Sequence, residues 1–368
     1  MAINCGIVGL PNVGKSTIFK ALTAAPAEAE NYPFCTIEPN VGIVNVNDKR
    51  LKGLANIFGP EKIIPAVFEF VDIAGLVKGA SKGEGLGNQF LGHIRQVDAI
   101  AHVVRCFEDD DIIHVNGKVD PLSDIETIDI ELAFADLEVV EKKLNNIPKL
   151  IKNQNKEIST TAKMLEPILT QLKNNLENGK PARELGLSVE EKLLIRDLNL
   201  ITLKDIIYVC NVKEDDIGQN NVHVEKIKKY VGDENKVIEI CGKIESEISL
   251  LETEEEKDEF MEAVGIEESG LSILIRKTYH MLGLRTFFTA GQKEVRAWTF
   301  KEGMLAPEGA GIIHTDFQRG FIKAEVYHCE DIFNLKTEAK LKENGKLRIE
   351  GKEYRLIDGD VIHFRFNV

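Results

Sequence analysis

Short apolar runs alternate with turn and helix signals through roughly the first 120 residues, which is the pattern of a parallel α/β sheet. These runs predict strands at residues 3–8, 67–72 and 99–104. The pattern resumes with runs that predict strands at residues 206–210 and 237–241. We therefore expect one α/β domain, formed by residues 1–124 and 201–284, that another segment interrupts.

The interrupting segment, residues 125–200, has a helical pattern. Glycine is rare there, and apolar residues recur at helical spacing, as at Leu137, Val140 and Leu144. Gly179 and Pro181 mark the end of the pattern. We interpret the segment as an inserted α-helical coiled-coil hairpin with its midpoint near residue 151. The alternative is a set of ordinary helices packed on the sheet.

The last segment, residues 285–368, predicts a small β-rich domain. Its short apolar runs are separated by Gly and Asp-Gly turns. The acidic run before it, residues 252–262, predicts the solvated face of a helix. The strand candidates are residues 287–288, 295–300, 320–322, 348–349, 354–356 and 361–366.

Composition is that of a soluble globular protein, because 43% of the 368 residues are hydrophobic and 29% are charged. No apolar stretch approaches the ~18 residues of a membrane-spanning helix, and the first residues lack the pattern of a secretory signal. We expect a cytoplasmic protein with no membrane partner. The six cysteines form no C-x-x-C motif, which predicts buried thiols rather than disulfides or metal ligands.

The charge balance excludes binding of nucleic acid by the surface as a whole. The chain has 46 basic and 60 acidic residues, a formal net charge of −14, which repels a phosphate backbone. We therefore expect no DNA partner, and any RNA contact must come from a local basic patch.

A phosphate-binding motif follows the first predicted strand. The sequence GLPNVGKS at residues 9–16 matches G-x-x-x-x-G-K-[ST] and leads into a stretch compatible with a helix. In such a loop Lys15 reaches the β and γ phosphates and the Ser16 hydroxyl ligates Mg²⁺. The predicted nucleotide-binding residues of this loop are Asn12, Val13, Gly14, Lys15, Ser16 and Thr17.

Two further landmarks follow in the order of a GTPase-type switch. Thr36 lies after the first helix, where a threonine completes Mg²⁺ coordination. Asp72 ends an apolar strand and begins the motif D-x-x-G, so its carboxylate is placed to hold Mg²⁺ while the N–H of Gly75 senses the γ phosphate. The predicted metal ligands are thus Ser16, Thr36 and Asp72, and Mg²⁺ is the expected cofactor.

The segment from residue 72 to residue 87 has the pattern D-x-A-G-L-x-x-G-A-x-x-G-x-G-L-G. It resembles the Obg-like branch of P-loop proteins, and the whole chain is similar to the YchF subfamily of Obg-like ATPases. The sequence NVKE at residues 211–214 agrees with this, as do residues 313–321 and 358–366, which resemble a TGS domain. The resemblance implies a P-loop NTPase domain with a mostly parallel sheet, the inserted hairpin, and a C-terminal ubiquitin-like β-grasp domain.

The residues that meet the base depart from the guanine-binding motif N-K-x-D. Val212 replaces its lysine, and Glu214 is one methylene longer than its aspartate. Together with the resemblance, this favours ATP over GTP. A GTPase with relaxed base specificity is the alternative. The predicted base-site residues are Asn211, Val212, Glu214, Cys241 and Gly242.

Hydrolysis needs a group that orients water, and the usual glutamine after D-x-x-G is replaced by Leu76. His114, in a predicted loop after the third strand, is the candidate substitute, and a structural loop histidine is the alternative. The predicted catalytic set is Lys15, Gly75 and His114.

The resemblance also implies association with the ribosome, through its large subunit and ribosomal RNA. Five lysines between residues 142 and 156, with no acidic residue among them, would cap the tip of the hairpin and approach that RNA. Lysines that merely solvate a helix are the alternative. We expect an ATPase switch in translation, against the alternative of a nucleotide-gated scaffold with incidental hydrolysis.

Overall fold

The computed structural model describes residues 3–24, 40–73, 86–109 and 118–367, without the side chains of residues 86–89. Thr36, Gly75 and His114 lie outside these residues. The chain divides into two compact units. The first unit consists of Met1–Ala24, Glu38–Gly42 and Phe70–Leu271. The second unit consists of Ala25–Ile37, Ile43–Glu69 and Ser272–Val368. The three domains expected from the sequence have different boundaries and stay a prediction.

Twelve strands are present in the described residues. They are β1 (Asn4–Val8), β2 (Val41–Val46), β3 (Lys62–Ile64), β4 (Ala66–Asp72), β5 (Ala99–Arg105), β6 (Asp205–Asn211), β7 (Val237–Ile240), β8 (Leu284–Ala290), β9 (Glu294–Lys301), β10 (Phe321–His328), β11 (Arg348–Glu350) and β12 (Asp360–Phe366).

Fourteen α-helices accompany these strands in the same described ranges. They are α1 (Lys15–Thr23), α2 (Lys49–Phe58), α3 (Leu86–Gln96), α4 (Pro121–Ile151), α5 (Lys156–Glu177), α6 (Val189–Leu194), α7 (Val222–Val231), α8 (Gly242–Ile248), α9 (Glu254–Ala263), α10 (Gly270–Met281), α11 (Ala306–Ile313), α12 (Thr315–Arg319), α13 (Cys329–Leu335) and α14 (Glu338–Glu343).

The first sheet has the strand order β2-β4-β1-β5-β6-β7. Strands β1, β5, β6 and β7 are parallel neighbours, with Val8 opposite His102, Arg105 opposite Asn211, and Asn211 opposite Ile240. Because parallel strands end at a common edge, the segments that follow β1, β5, β6 and β7 meet there. The predicted α/β sheet is confirmed.

The inserted hairpin is confirmed as well. Helix α4 ends at Ile151, the predicted midpoint, and α5 begins at Lys156 after a turn. Asn155 caps α5 by accepting a hydrogen bond from the backbone N–H of Glu157 at 2.9 Å. Facing apolar side chains of the two helices, among them Val140 and Leu169, form one buried core. The two helices therefore stabilise each other by packing rather than by propensity alone.

The second sheet has the order β11-β10-β12-β8-β9-β3. Its central pair, β8 and β12, is parallel, while β8 with β9 and β10 with β12 are antiparallel. Helix α11 packs Ala306 and Ala310 into a core that contains Phe287, Phe300 and Phe364. A sheet with a parallel central pair covered by a helix has the β-grasp arrangement that the family resemblance implies.

Two features of the second unit differ from the predictions. The predicted strand at residues 354–356 is wrong, because only Arg355 forms a bridge, to Leu305, and the N–H of Ile357 turns to the carboxylate of Asp360. Strand β3, which the sequence did not indicate, adds to the sheet in parallel with β9, with Lys62 opposite Glu294.

The five cysteines within the described residues are buried and free, as predicted; Cys35 lies outside those residues. The acidic run lies on α9, which has no fully buried residue, and this agrees with the predicted solvated helix. Within the described residues, no helix is both long enough and apolar enough to cross a membrane.

Candidate nucleotide site

The loop between β1 and α1 has a backbone that requires glycine at two positions. Gly14, the residue before α1, has φ +98°, and a Cβ there would lie 2.2 Å from the side-chain Nδ2 of Asn211. A Cβ on Gly9 would lie 2.4 Å from the carbonyl oxygen of Val103. Asn12 adopts a left-handed conformation with φ 61°, which asparagine tolerates better than most residues. The motif residues thus form the tight turn that a phosphate loop needs.

Lys15 begins α1 and is only 9% exposed. Its Nζ donates a hydrogen bond to the carbonyl oxygen of Leu10 at 2.7 Å, so the ammonium spans the loop. Burial lowers the pKa of Lys15 to about 8 from 10.5, and the charge of Asp72 opposes that change. Within the described residues, the Leu10 carbonyl is the hydrogen-bond acceptor of this buried cation. Such a cation favours a bound anion, since nearby negative charge stabilises the ammonium.

Asp72 ends β4 and is half-buried. Burial raises the pKa of its carboxyl group, and the positive charge of Lys15 opposes this. The exposed Ser16 hydroxyl on α1 is the second predicted metal ligand that the structure describes. No group of three His, Cys, Asp or Glu in the described ranges could hold a metal. The oxygens of Ser16 and Asp72 fit Mg²⁺, which is usually held by one or two protein ligands together with phosphates and waters.

Asn211 connects the phosphate loop to the far side of the site. Its Nδ2 donates to the carbonyl oxygen of Val13 at 2.9 Å. Its Oδ1 accepts from the N–H of Gly242 at 3.1 Å. The side chain is buried, so both halves of the amide are used within the protein. Asn211 therefore fixes the distance between the phosphate loop and the segment at Gly242.

A cavity of about 620 Å³ opens beside these segments. Its volume is in the range of small-molecule sites. The lining includes eight of the predicted residues, namely Asn12, Gly14, Thr17, Asn211, Val212, Glu214, Cys241 and Gly242. Val13 lies in the adjoining loop, and Lys15 and Ser16 begin α1. The structure therefore brings together predicted residues that are distant in the sequence. Asn12 and Gly242, for example, lie 230 positions apart.

The cavity wall also contains residues that the sequence analysis missed. Phe107 and Asp109, which follow β5, line it. Buried Arg105 holds both, since its guanidinium donates to the carbonyl oxygens of Phe107 at 3.0 Å and Asp109 at 3.1 Å. The same guanidinium lies 4.6 Å from the centre of the Phe107 ring. An arginine at the end of a strand that is otherwise apolar except for His102 was the signal in the sequence.

Two family models match the chain. One describes the C-terminal domain of YchF GTPases as a protein of unknown function and matches residues 284–367. The other describes a 50S ribosome-binding GTPase and matches residues 4–162.

Full-length relatives are similar over the whole chain. The Bacillus subtilis (strain 168) protein named ribosome-binding ATPase YchF is 58% identical over 371 aligned residues, with all of both chains covered. The protein of the same name from Haemophilus influenzae is 54% identical, also over all of both chains. The solved structure of the Schizosaccharomyces pombe YchF GTPase matches with a TM-score of 0.88 and 40% identity, covering 99% of this chain and 97% of that one. With a phosphate loop, an inserted hairpin and a β-grasp domain in one chain, this protein belongs to the YchF family.

Proposed function

We propose that the chain is a Mg²⁺-dependent ATPase switch that acts on ribosomes in the cytoplasm. The observation that carries the proposal is the cavity that joins the phosphate loop to the segment Asn211–Glu214. A triphosphate at the loop and a base at that segment would occupy one continuous site. The curated bacterial relatives, named as ribosome-binding ATPases, support the same function.

The base preference rests on Val212 and Glu214. Val212 lines the cavity, and its short side chain cannot extend along the base as the lysine of N-K-x-D does. Glu214 is half-exposed at the cavity and longer than the aspartate that reads guanine. The names of the relatives differ here, because the bacterial ones are called ATPases and the S. pombe one a GTPase. The residues of this chain favour ATP, with relaxed base specificity as the second candidate.

For hydrolysis, Lys15 would neutralise charge on the β and γ phosphates, since its buried ammonium is the cation at the loop. Mg²⁺, when bound, would supply the remaining positive charge, held by Ser16 and Asp72 with Thr36. The predicted role of Gly75 is to sense the γ phosphate, and that of His114 is to orient water. Thr36, Gly75 and His114 lie outside the described ranges, and their roles stay predictions.

The contact with ribosomal RNA would lie at the tip of the hairpin, where α4 ends and α5 begins. Lys142, Lys149, Lys152 and Lys156 are exposed there. Lys143 instead bonds Asp197, with its Nζ 2.6 Å from Oδ2. Four exposed lysines that form no ion pair within the described residues suit a phosphate backbone, while the net charge of −14 keeps the remainder of the chain away from it.

Charge reversal at the tip tests this contact. Lys149→Glu with Lys152→Glu should weaken ribosome binding and flatten its salt dependence, since each lost phosphate contact removes ~0.7 to 0.9 from the log–log slope. The matched control is Lys226→Glu with Lys229→Glu, two exposed lysines on α7. Equal losses in the two double variants, measured by sedimentation with ribosomes at several salt concentrations, would exclude the tip.

The ATPase function is tested by turnover with and without ribosomes. We expect ATP hydrolysis to rise when ribosomes are added, and to disappear in both conditions in Lys15→Ala. Ribosome binding that is unaffected by ATP and by Lys15→Ala would instead support the scaffold alternative. GTP turnover equal to ATP turnover would support relaxed base specificity.

A further inference from the structure

An ion pair crosses the base end of the cavity. The Nζ of Lys243 lies 2.9 Å from Oε2 of Glu214, and both residues line the cavity. Lys243 is the second residue of α8, and Glu214 begins a 3-10 turn after β6. The side chains are 69% and 46% exposed, so a nucleotide base entering the cavity can reach them.

The backbones that present the pair are fixed to each other. The N–H of Val212 donates to the carbonyl oxygen of Ile240 at 2.9 Å. On the other side, the N–H of Gly242 donates to the side chain of Asn211 at 3.1 Å. Glu214 follows the segment Asn211–Val212, and Lys243 follows the segment Ile240–Gly242. These two segments are hydrogen-bonded to each other. The backbone therefore holds Lys243 and Glu214 next to each other at the cavity.

The pair changes what a carboxylate can do at this position. To read guanine, a carboxylate accepts hydrogen bonds from the ring N1–H and the 2-amino group at once, with both oxygens. In Glu214 one oxygen is already bonded to the ammonium of Lys243. The 2-amino group of guanine must then share that oxygen with the ammonium of Lys243, and a poorly paired donor at a binding site lowers affinity.

Adenine makes no such demand. It has no 2-amino group, its 6-amino group needs a single acceptor, and its ring N1 accepts a hydrogen bond. The remaining oxygen of Glu214 and an N–H of Lys243 are one acceptor and one donor side by side. The pair thus suits the adenine edge, whereas guanine must compete with Lys243 for its second acceptor.

We propose that Lys243 is a specificity-determining residue of the nucleotide site, and that it disfavours guanine by occupying one oxygen of Glu214. This rests on the proposed preference for ATP, and it names the interaction that enforces the preference. It assigns the discrimination to the pair rather than to the length of the Glu214 side chain alone.

The test is Lys243→Met, which keeps an extended side chain and removes the charge and the donor. We measure the affinities of the full chain for ATP, GTP and ITP by calorimetry. Freed of its partner, Glu214 can accept two hydrogen bonds from guanine, so GTP affinity should rise ~3- to 10-fold relative to ATP, the range expected when a half-exposed ion pair is exchanged. ITP lacks the 2-amino group, so its affinity should not show this gain.

Lys213→Met is the matched control, because Lys213 also lines the cavity and adjoins Glu214 in the chain. Removing its charge should change the affinities for ATP, GTP and ITP by the same factor. Glu214→Gln combined with Lys243→Met should abolish the gain in GTP affinity, because the amide offers one acceptor. Thermal unfolding confirms that each variant folds, which we expect since both lysines are exposed.

Two results have distinct meanings. If the wild-type chain binds GTP as tightly as ATP, the proposed base preference fails, whatever the variants show. If the wild-type chain prefers ATP but Lys243→Met shifts ATP, GTP and ITP alike, the preference stands and the role of Lys243 is overturned, since the lysine then acts only on the charge of the triphosphate.

Discussion

Buried charges are treated in opposite ways at the nucleotide site and at the base of the helical hairpin. At the hairpin base, Asp136 of α4 is 0% exposed. It accepts hydrogen bonds from the N–H of Ile201 at 3.0 Å and from the N–H and hydroxyl of Thr202, both at 2.7 Å. At the nucleotide site, Lys15 has the carbonyl of Leu10 and the charge of Asp72 to offset its burial. Hydrogen bonds within the protein satisfy the carboxylate of Asp136, whereas the buried ammonium of Lys15 favours a bound anion.

The satisfied charge belongs to a junction between α3 and the hairpin. Arg95 of α3 pairs with Asp136 at 3.4 Å and donates to the carbonyl oxygen of Ala135 at 3.0 Å. In return, the side chain of Asn199 donates to the carbonyl oxygen of Arg95 at 2.8 Å. A buried charge whose hydrogen-bond partners are all within the protein holds its elements together. A buried charge with few such partners indicates a ligand site.

Asp136→Ala should have the largest effect on stability. It leaves the donors of Ile201 and Thr202 buried without their acceptor, so we expect a loss of about 3 to 5 kcal/mol in the free energy of unfolding. Urea denaturation followed by circular dichroism measures it. The control is Asp197→Ala, which removes an exposed partner of Lys143 and should cost less than about 1 kcal/mol. Similar losses in both variants would contradict the contrast drawn between the two regions.

Lys15→Ala should affect binding rather than folding. It removes the buried ammonium at the phosphate loop, so we expect ATP affinity to fall at least ~100-fold, about 2.7 kcal/mol, while the chain still folds. Lys20→Ala, at an exposed lysine of the same helix, should leave ATP affinity unchanged. An ATP affinity of Lys15→Ala equal to that of the wild-type chain, measured by calorimetry, would show that Lys15 has no part in binding.

The sequence predicted features that depend on neighbouring residues. The strands of the first sheet other than β2, the hairpin turn after Ile151 and the helix of the acidic run each follow from a run or spacing within one segment. The phosphate loop was predictable for the same reason, because the glycines, Lys15 and Ser16 are contiguous. Strand β2 was not predicted.

Features that depend on distant residues were not predicted. Strand β3 pairs with β9, with more than 200 residues between them, and nothing near residue 62 indicates the partner. The contacts of Lys243 with Glu214 and of Asp136 with Thr202 are of the same kind. Periodicity shows that a residue is buried or exposed, but not which residue of another segment it meets.

The smallest expected effect is a pH dependence caused by Lys15. Its pKa is about 8 in the folded chain against 10.5 ordinarily, so between those values the unfolded chain binds more protons at this residue. Stability rises with pH wherever that holds. The destabilisation by the charged lysine is therefore fully present below pH 8 and is lost as the pH passes 10.5. We expect the free energy of unfolding of the wild-type chain, relative to Lys15→Met, to increase by about 2 kcal/mol between pH 7 and pH 10. Groups common to both chains cancel in this difference, which urea denaturation at each pH measures. A difference that stays constant with pH would show that burial of the ammonium is already compensated within the protein.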